Sequence, residues 1–263
     1  MATAATGYEA SQMSIGRVFE RAFATITHNP LVVLAIAVVL GGIPSALVAY
    51  LGHAFRADAL ASTADRAAVW GAMFFSWVLS IVIGAIVQGA MTRATVAEGE
   101  GQKASFAECV AAGARVFLPL IGVALLFGLG IMVGTILLII PGIIVMVMWS
   151  VAAPAVVVER DGVFRALSRS QELTKGSRWK IFGLFLVLLV IYIVIFSILG
   201  LAGLSSMRNA AVTGNFTIVN FISSLISSAL INLLWGTIQP SLYVELRQAN
   251  DGGSLESLED IFA

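Results

Sequence analysis

The sequence predicts an all-α integral membrane protein whose six transmembrane helices form three hairpins, each preceded by a cytoplasmic amphipathic interfacial helix. Three observations carry this reading: composition, the spacing of charges, and the lopsided placement of lysine and arginine. Hydrophobic residues make up 59% of the chain and charged residues 11%, against about 25% charged in an ordinary soluble domain. Such a chain cannot cover itself with a solvated surface. A crossing of a ~30 Å hydrocarbon core takes roughly 20 apolar residues. The uncharged intervals are Ala22 to Phe55, Ala67 to Thr92, Val116 to Val158, Ile181 to Met207 and Asn209 to Val244. The third is long enough for two crossings, so five intervals give six helices.

The predicted spans are Pro30 to Leu51, Val69 to Val96, Leu118 to Ile140, Ile143 to Val158, Trp179 to Leu204 and Val219 to Val244. Pro44, behind Gly41 and Gly42, should kink or shorten the first, because proline lacks an amide donor. Pro141 and Gly142 are the expected turn between the third and fourth spans. The alternative is that the fourth helix starts at Pro141, with the connection slightly earlier. No cleaved signal peptide is expected, since Arg17, Glu20 and Arg21 lie in a periodic segment ahead of a full-length apolar run.

Six spans place twelve of the fifteen basic residues on one side, leaving Arg56, Arg66 and Arg208 on the other. Cytoplasmic loops carry the excess of Lys and Arg. Both termini are therefore expected in the cytoplasm, in the inner membrane of a bacterium.

An amphipathic stretch precedes each odd-numbered span. Ile15, Val18, Phe19, Ala22, Phe23 and Ile26 form the first apolar stripe. The second stripe is Phe106, Cys109, Val110, Gly113, Val116 and Phe117, behind a Ser105-x-x-Glu108 capping-box spacing. The third is Val163, Ala166, Leu167, Ser170, Leu173 and Thr174. These helices either lie in the headgroup layer or pack on the cytoplasmic face of the bundle. The expected organisation is a tail at 1–13, one membrane domain at 14–248 with pseudo-repeats 14–100, 101–160 and 161–248, and a polar tail at 249–263. The third stretch is the most basic. Arg165, Arg169, Lys175, Arg178 and Lys180 are thus the candidate contacts for anionic lipid.

The run Pro141-Gly142-Ile143-Ile144, then Trp149-Ser150-Val151-Ala152-Ala153-Pro154 and Glu159, resembles the bacterial glycerophosphoryl diester phosphodiesterase membrane domain family. Ser170-Gln171-Glu172-Leu173-Thr174-Lys175-Gly176 with Arg178-Trp179, and Leu242-Tyr243-Val244-Glu245-Leu246-Arg247, are similar to further segments of that family. Nearly the whole chain is covered, but the sharp motifs occupy only Pro141 to Lys180 and Leu242 to Arg247. The resemblance implies a stand-alone six-helix membrane domain. It does not bring the phosphodiesterase activity, because a catalytic barrel of ~250 residues has no room here.

Glu159 and Glu245 each follow a proline, Pro154 and Pro240, by five residues. With Glu172 and Arg247 they form a candidate structural ion-pair network; a proton or substrate path is the alternative. Gln88, Asn220, Asn232 and Gln239 are expected to bond between helices. His28 and His53 fall on opposite sides, Cys109 is the only cysteine, and no catalytic, metal or cofactor set emerges. The balanced net charge argues against nucleic acid. The expected partners are membrane lipids, anionic ones above all, with a second copy or another membrane protein as a further class. The expected function is a non-enzymatic lipid-contacting scaffold or accessory subunit. A transporter or lipid-translocating protein is the alternative, and a membrane-embedded lipid enzyme a weaker one.

Overall fold

The computed structural model describes residues 13–61, 66–160, 162–213 and 218–262. The expected tail at 1–13 lies outside them except for Met13. Among the described residues all regular structure is helical. Six helices are long and apolar enough to cross a membrane: Pro30–Gly52, Trp70–Gly99, Phe106–Leu137, Ile139–Glu159, Arg178–Ile198 and Ile218–Asp251. This is a multi-pass membrane fold with the six spans that the charge gaps predict.

Helix α1 (Ile15–His28) is amphipathic and buries Val18, Ala22 and Thr25 against the last and fourth helices. Its apolar stripe is covered by protein, although Phe23 stays exposed. The first span follows in three pieces: α2 (Pro30–Ala35), a π-helical segment (Ile36–Gly42) and α3 (Ile43–Ala61). Pro44 sits at the start of α3 and offers no amide to the preceding turn, so the ladder there widens by one residue. The expected disturbance at Pro44 is therefore a π segment. It is also a contact site: a Cβ on Gly41 would run into the Asn232 side chain, and one on Gly42 would lie 3.3 Å from the Leu225 carbonyl.

Helix α4 (Arg66–Gly99) returns, and α5 (Phe106–Leu137) follows. The second amphipathic stretch is not a separate element, since α5 runs unbroken through Pro119. The capping box forms: Glu108 N donates to Ser105 Oγ at 3.3 Å and Ser105 N to Glu108 Oε2 at 2.9 Å. Proline normally bends or breaks a helix interior. Here α4 braces both sides of it, with Gly89 against Gly113 on one side and Leu120 on the other.

The connection after α5 is a single extended residue, Leu138 (φ −167°, ψ 149°). Pro141 and Gly142 are not the turn; they lie in the first turn of α6 (Ile139–Met148). The connection does come earlier, as the alternative has it, but the helix starts at Ile139, two residues before Pro141, which sits in its first turn, where proline is tolerated. Gly142 has a separate task, for a Cβ on Gly134 would fall 2.8 Å from its amide nitrogen. Around this tip Ile136 through Ile140 are all exposed aliphatics. Residues 149–151 interrupt the returning helix, and α7 (Ala152–Glu159) completes it.

Helix α8 (Val163–Thr174) buries Ala166, Leu167, Ser170, Leu173 and Thr174. Its apolar face thus packs on the bundle. Helices α9 (Arg178–Thr213) and α10 (Ile218–Phe262) form the last hairpin. The expected polar tail from 249 is a continuation of α10. Its start is docked: Asn250 Nδ2 donates to the Leu173 carbonyl at 3.1 Å, and Asp251 accepts from Arg169.

Candidate functional site

The charged end of the bundle holds two separate ion-pair clusters. In the first, Glu245 is 2% exposed on α10 and ties down α1. It accepts from Arg17 Nε at 2.6 Å and from the Ser14 amide at 3.2 Å, with Arg21 Nε at 3.5 Å. In the second, Glu159 accepts from Arg169 Nε at 3.0 Å and from Tyr243 Oη at 2.8 Å. Arg169 also reaches Asp251 at 2.6 Å and Glu172 at 3.8 Å, and Arg247 lies 3.6 Å from Asp251. Of the four expected members Glu159, Glu172, Glu245 and Arg247, Glu245 pairs instead with α1, and the other three meet through Arg169 and Asp251. Burial disfavours the charge on Arg169, but the Glu159 and Asp251 carboxylates outweigh it and hold its pKa above the ordinary arginine value.

Arg169 is accordingly held in place by Glu159 and Asp251, with Glu172 farther off at 3.8 Å. Arg165, Lys175 and Arg178 are exposed and Lys180 is half-buried. Among the described residues Lys175 and Arg178 have no ion-pair partner. Arg178 and Trp179 border an apolar groove of about 510 Å³ between α6 and α9, walled by Ile140, Ile144, Val147 and Phe182.

Below the charged end, α8 repairs the break between α6 and α7. Ser170 Oγ donates to the Met148 carbonyl at 2.9 Å and accepts from the Val151 amide at 3.2 Å. Gln239 Nε2 donates to the Ser150 carbonyl at 2.5 Å, and Gln88 Nε2 donates to Gln239 Oε1 at 2.6 Å. The expected bonding between helices is realised for Gln88 and Gln239. Replacing Ser170 with alanine strips the buried Val151 amide of its partner and leaves the Met148 carbonyl only the Thr174 hydroxyl at 3.4 Å, which costs about 1–3 kcal/mol. Thermal unfolding in a mild detergent should show the corresponding drop for S170A.

Two cavities are stacked along a seam between α4, α5 and α7. The lower, about 300 Å³, is lined by Gln88, Asn232, Trp149, Trp235 and Gln239 among apolar neighbours. The upper is a cleft of about 850 Å³ at the charged end, lined by Arg93, Arg115 and Arg160 with Glu100 and Glu108. One helical stripe serves both on each wall. Ile81, Ala85, Gln88, Thr92 and Val96 recur on α4, and Phe127, Val123, Leu120, Val116 and Ala112 on α5. Trp149, Ala153 and Val157 continue the third wall.

Sequence reasoning missed Arg17, Arg21, Tyr243 and Asp251 in the ion pairs, and Arg93, Arg115 and Arg160 in the cleft. The one legible signal was the matched Pro-to-Glu spacing before Glu159 and Glu245. Chemically, the arrangement offers fixed cations and hydrogen-bond donors. Among the described residues no three His, Cys, Asp or Glu side chains are grouped to hold a metal ion. The family described as Domain of unknown function (DUF7847) matches residues 13–246. No curated protein and no solved structure matches the chain.

Proposed function

The chain belongs to the DUF7847 family, whose description assigns no activity, and from that premise we propose a non-enzymatic membrane protein that holds anionic lipid and acts as a scaffold or accessory subunit for other membrane proteins. The observation that carries this reading is the α6–α9 groove, where Arg178 stands at the rim of an apolar trough. An acyl chain fits the trough, and the guanidinium meets the phosphate. Trp179, 85% exposed, suits the headgroup layer, where amphipathic rings anchor helices. The charged end faces the cytoplasm of a bacterium in this reading, supported by the twelve-to-three division of basic residues. The likeness of Pro141 to Lys180 to the phosphodiesterase-associated membrane domains supports a membrane role without a catalytic barrel.

The test is the lipid that co-purifies with the full chain in mild detergent, measured by mass spectrometry. K175Q/R178Q should lower the ratio of bound phosphatidylglycerol to phosphatidylethanolamine several-fold. R169Q should leave that ratio unchanged while lowering the unfolding temperature. An unaltered ratio in K175Q/R178Q would sink the proposal. A second reading, a lipid-translocating or transport protein, draws support from the stacked cavities of the α4–α5–α7 seam.

A further inference from the structure

The upper cleft of the seam contains more cation than its own carboxylates neutralise. Arg93 is half-buried and meets Glu100 only at 3.8 Å, near the limit of an ion pair. Glu108 is engaged in its capping box with Ser105. Among the described residues Arg115 and Arg160 have no ion-pair partner. Three guanidinium groups from three different helix segments therefore line one cleft, a setting that favours a multivalent oxyanion.

Backbone conformation at Arg160 points the same way. It caps α7 at φ 54°, the only positive φ at a non-glycine residue among those described. Helices commonly end in this left-handed conformation, but usually with glycine or asparagine, since in other residues the Cβ crowds the following carbonyl oxygen there. A strained arginine beside an anion-sized cleft is the kind of outlier that marks a binding role.

The lower cavity supplies an independent observation. Trp149 lines it, and the indole Nε1 is buried with no hydrogen-bond partner. Buried donors are nearly always satisfied. A turn of the indole toward the cavity it lines would bring this donor to an acceptor, such as an ester carbonyl, carried in by a ligand. The surrounding wall is mostly apolar and continues the stripes that reach the arginines.

From these features together we infer that the seam is a binding site for one phosphate-bearing amphiphile of the glycerophospholipid type, its phosphate among Arg93, Arg115 and Arg160 and its ester and acyl portion running down toward Trp149. The site is distinct from the α6–α9 groove and does not rest on it.

The experiment titrates the full chain in a neutral detergent with dioctanoyl phosphatidic acid, and separately with glycerol phosphate, following affinity by calorimetry. The amphiphile should bind, and R115Q/R160Q should weaken it about tenfold or more, as expected for lost charge-assisted hydrogen bonds. R160G should weaken binding while keeping or raising the unfolding temperature, because glycine relieves the left-handed strain; this variant stays informative if the double variant is unstable. W149F should weaken the amphiphile and leave glycerol phosphate unaffected. In a K175Q/R178Q background, which removes Arg178 from the groove, R115Q/R160Q should still weaken the remaining binding about tenfold, which separates this site from the groove. No binding of the amphiphile, equal affinity for glycerol phosphate, or unchanged affinity in both arginine variants would overturn the inference.

Discussion

Replacing Glu245 with alanine is expected to release α1 from the bundle and lower stability by about 1–3 kcal/mol, somewhat below the ~3–5 kcal/mol typical when one partner of a fully buried pair is removed. The carboxylate is 2% exposed, but the Arg17 and Arg21 side chains are 44% and 28% exposed, so water takes over part of their solvation. Three donors lose the Glu245 carboxylate together, Arg17, Arg21 and the Ser14 amide, although Arg21 keeps its bond to Gln248. Hydrogen exchange should show the loss at Ile15–His28 first, ahead of any change in α4 or α5. E245D keeps the charge on a shorter stem and should fall between the two. If E245A melts with the wild type and α1 stays protected, the clamp contributes nothing.

Replacing Gly113 with valine is expected to be worse, because the obstacle is backbone. A Cβ there would run into the Ile86 carbonyl oxygen and lie 3.1 Å from Ala90 N, while a Cβ on Gly89 would fall 2.6 Å from Gly113 Cα. Neither helix can turn a rotamer to make room. Ordinary overpacking costs about 1–3 kcal/mol, and this crossing should meet or exceed the upper figure, since α4 and α5 must separate along their most intimate contact. Close approach of this kind is what small residues permit in membrane bundles. Size-exclusion chromatography of G113V should show aggregate in place of a single species. The control is Gly128 on the same helix, where a Cβ meets nothing within 4 Å; G128A should purify normally. A monodisperse G113V would refute the argument.

Much of this fold is legible in the sequence because the bilayer imposes length. Charges bracket five uncharged intervals, and the length of the third, Val116 to Val158, supplies the sixth crossing. What local pattern does not carry is the fate of irregular backbone. Trp149 to Val151 contain neither glycine nor proline, but Pro154 offers no amide to the Ser150 carbonyl four residues back, and the freed groups find their partners in Ser170 and Gln239 from far along the chain. Pro119 shows the converse: a nominal helix breaker is carried through by contacts with α4 on both sides. The candidate sites divide in the same way. Lys175 and Arg178 are readable because they are adjacent in a basic run, whereas Arg93, Arg115 and Arg160 are scattered across 67 residues and meet only when α4, α5 and α7 assemble. Arg169 looks identical to its basic neighbours in sequence and is set apart by its three carboxylates.

The single-residue tip at Leu138 has a topological consequence. Ile140, two residues beyond it, lines the same groove as Arg178 and Trp179, and nothing charged lies between Val116 and Val158. The middle pair thus leaves no charged mark at its far end by which its depth can be judged. A hairpin, however, contributes an even number of passages, whatever depth its apex reaches. Parity is conserved, so the side on which α8, the start of α9 and the end of α10 lie is fixed by the first and last hairpins. Twelve basic residues at one end remain self-consistent for a tip that emerges on the far side and for one that stops within the lipid.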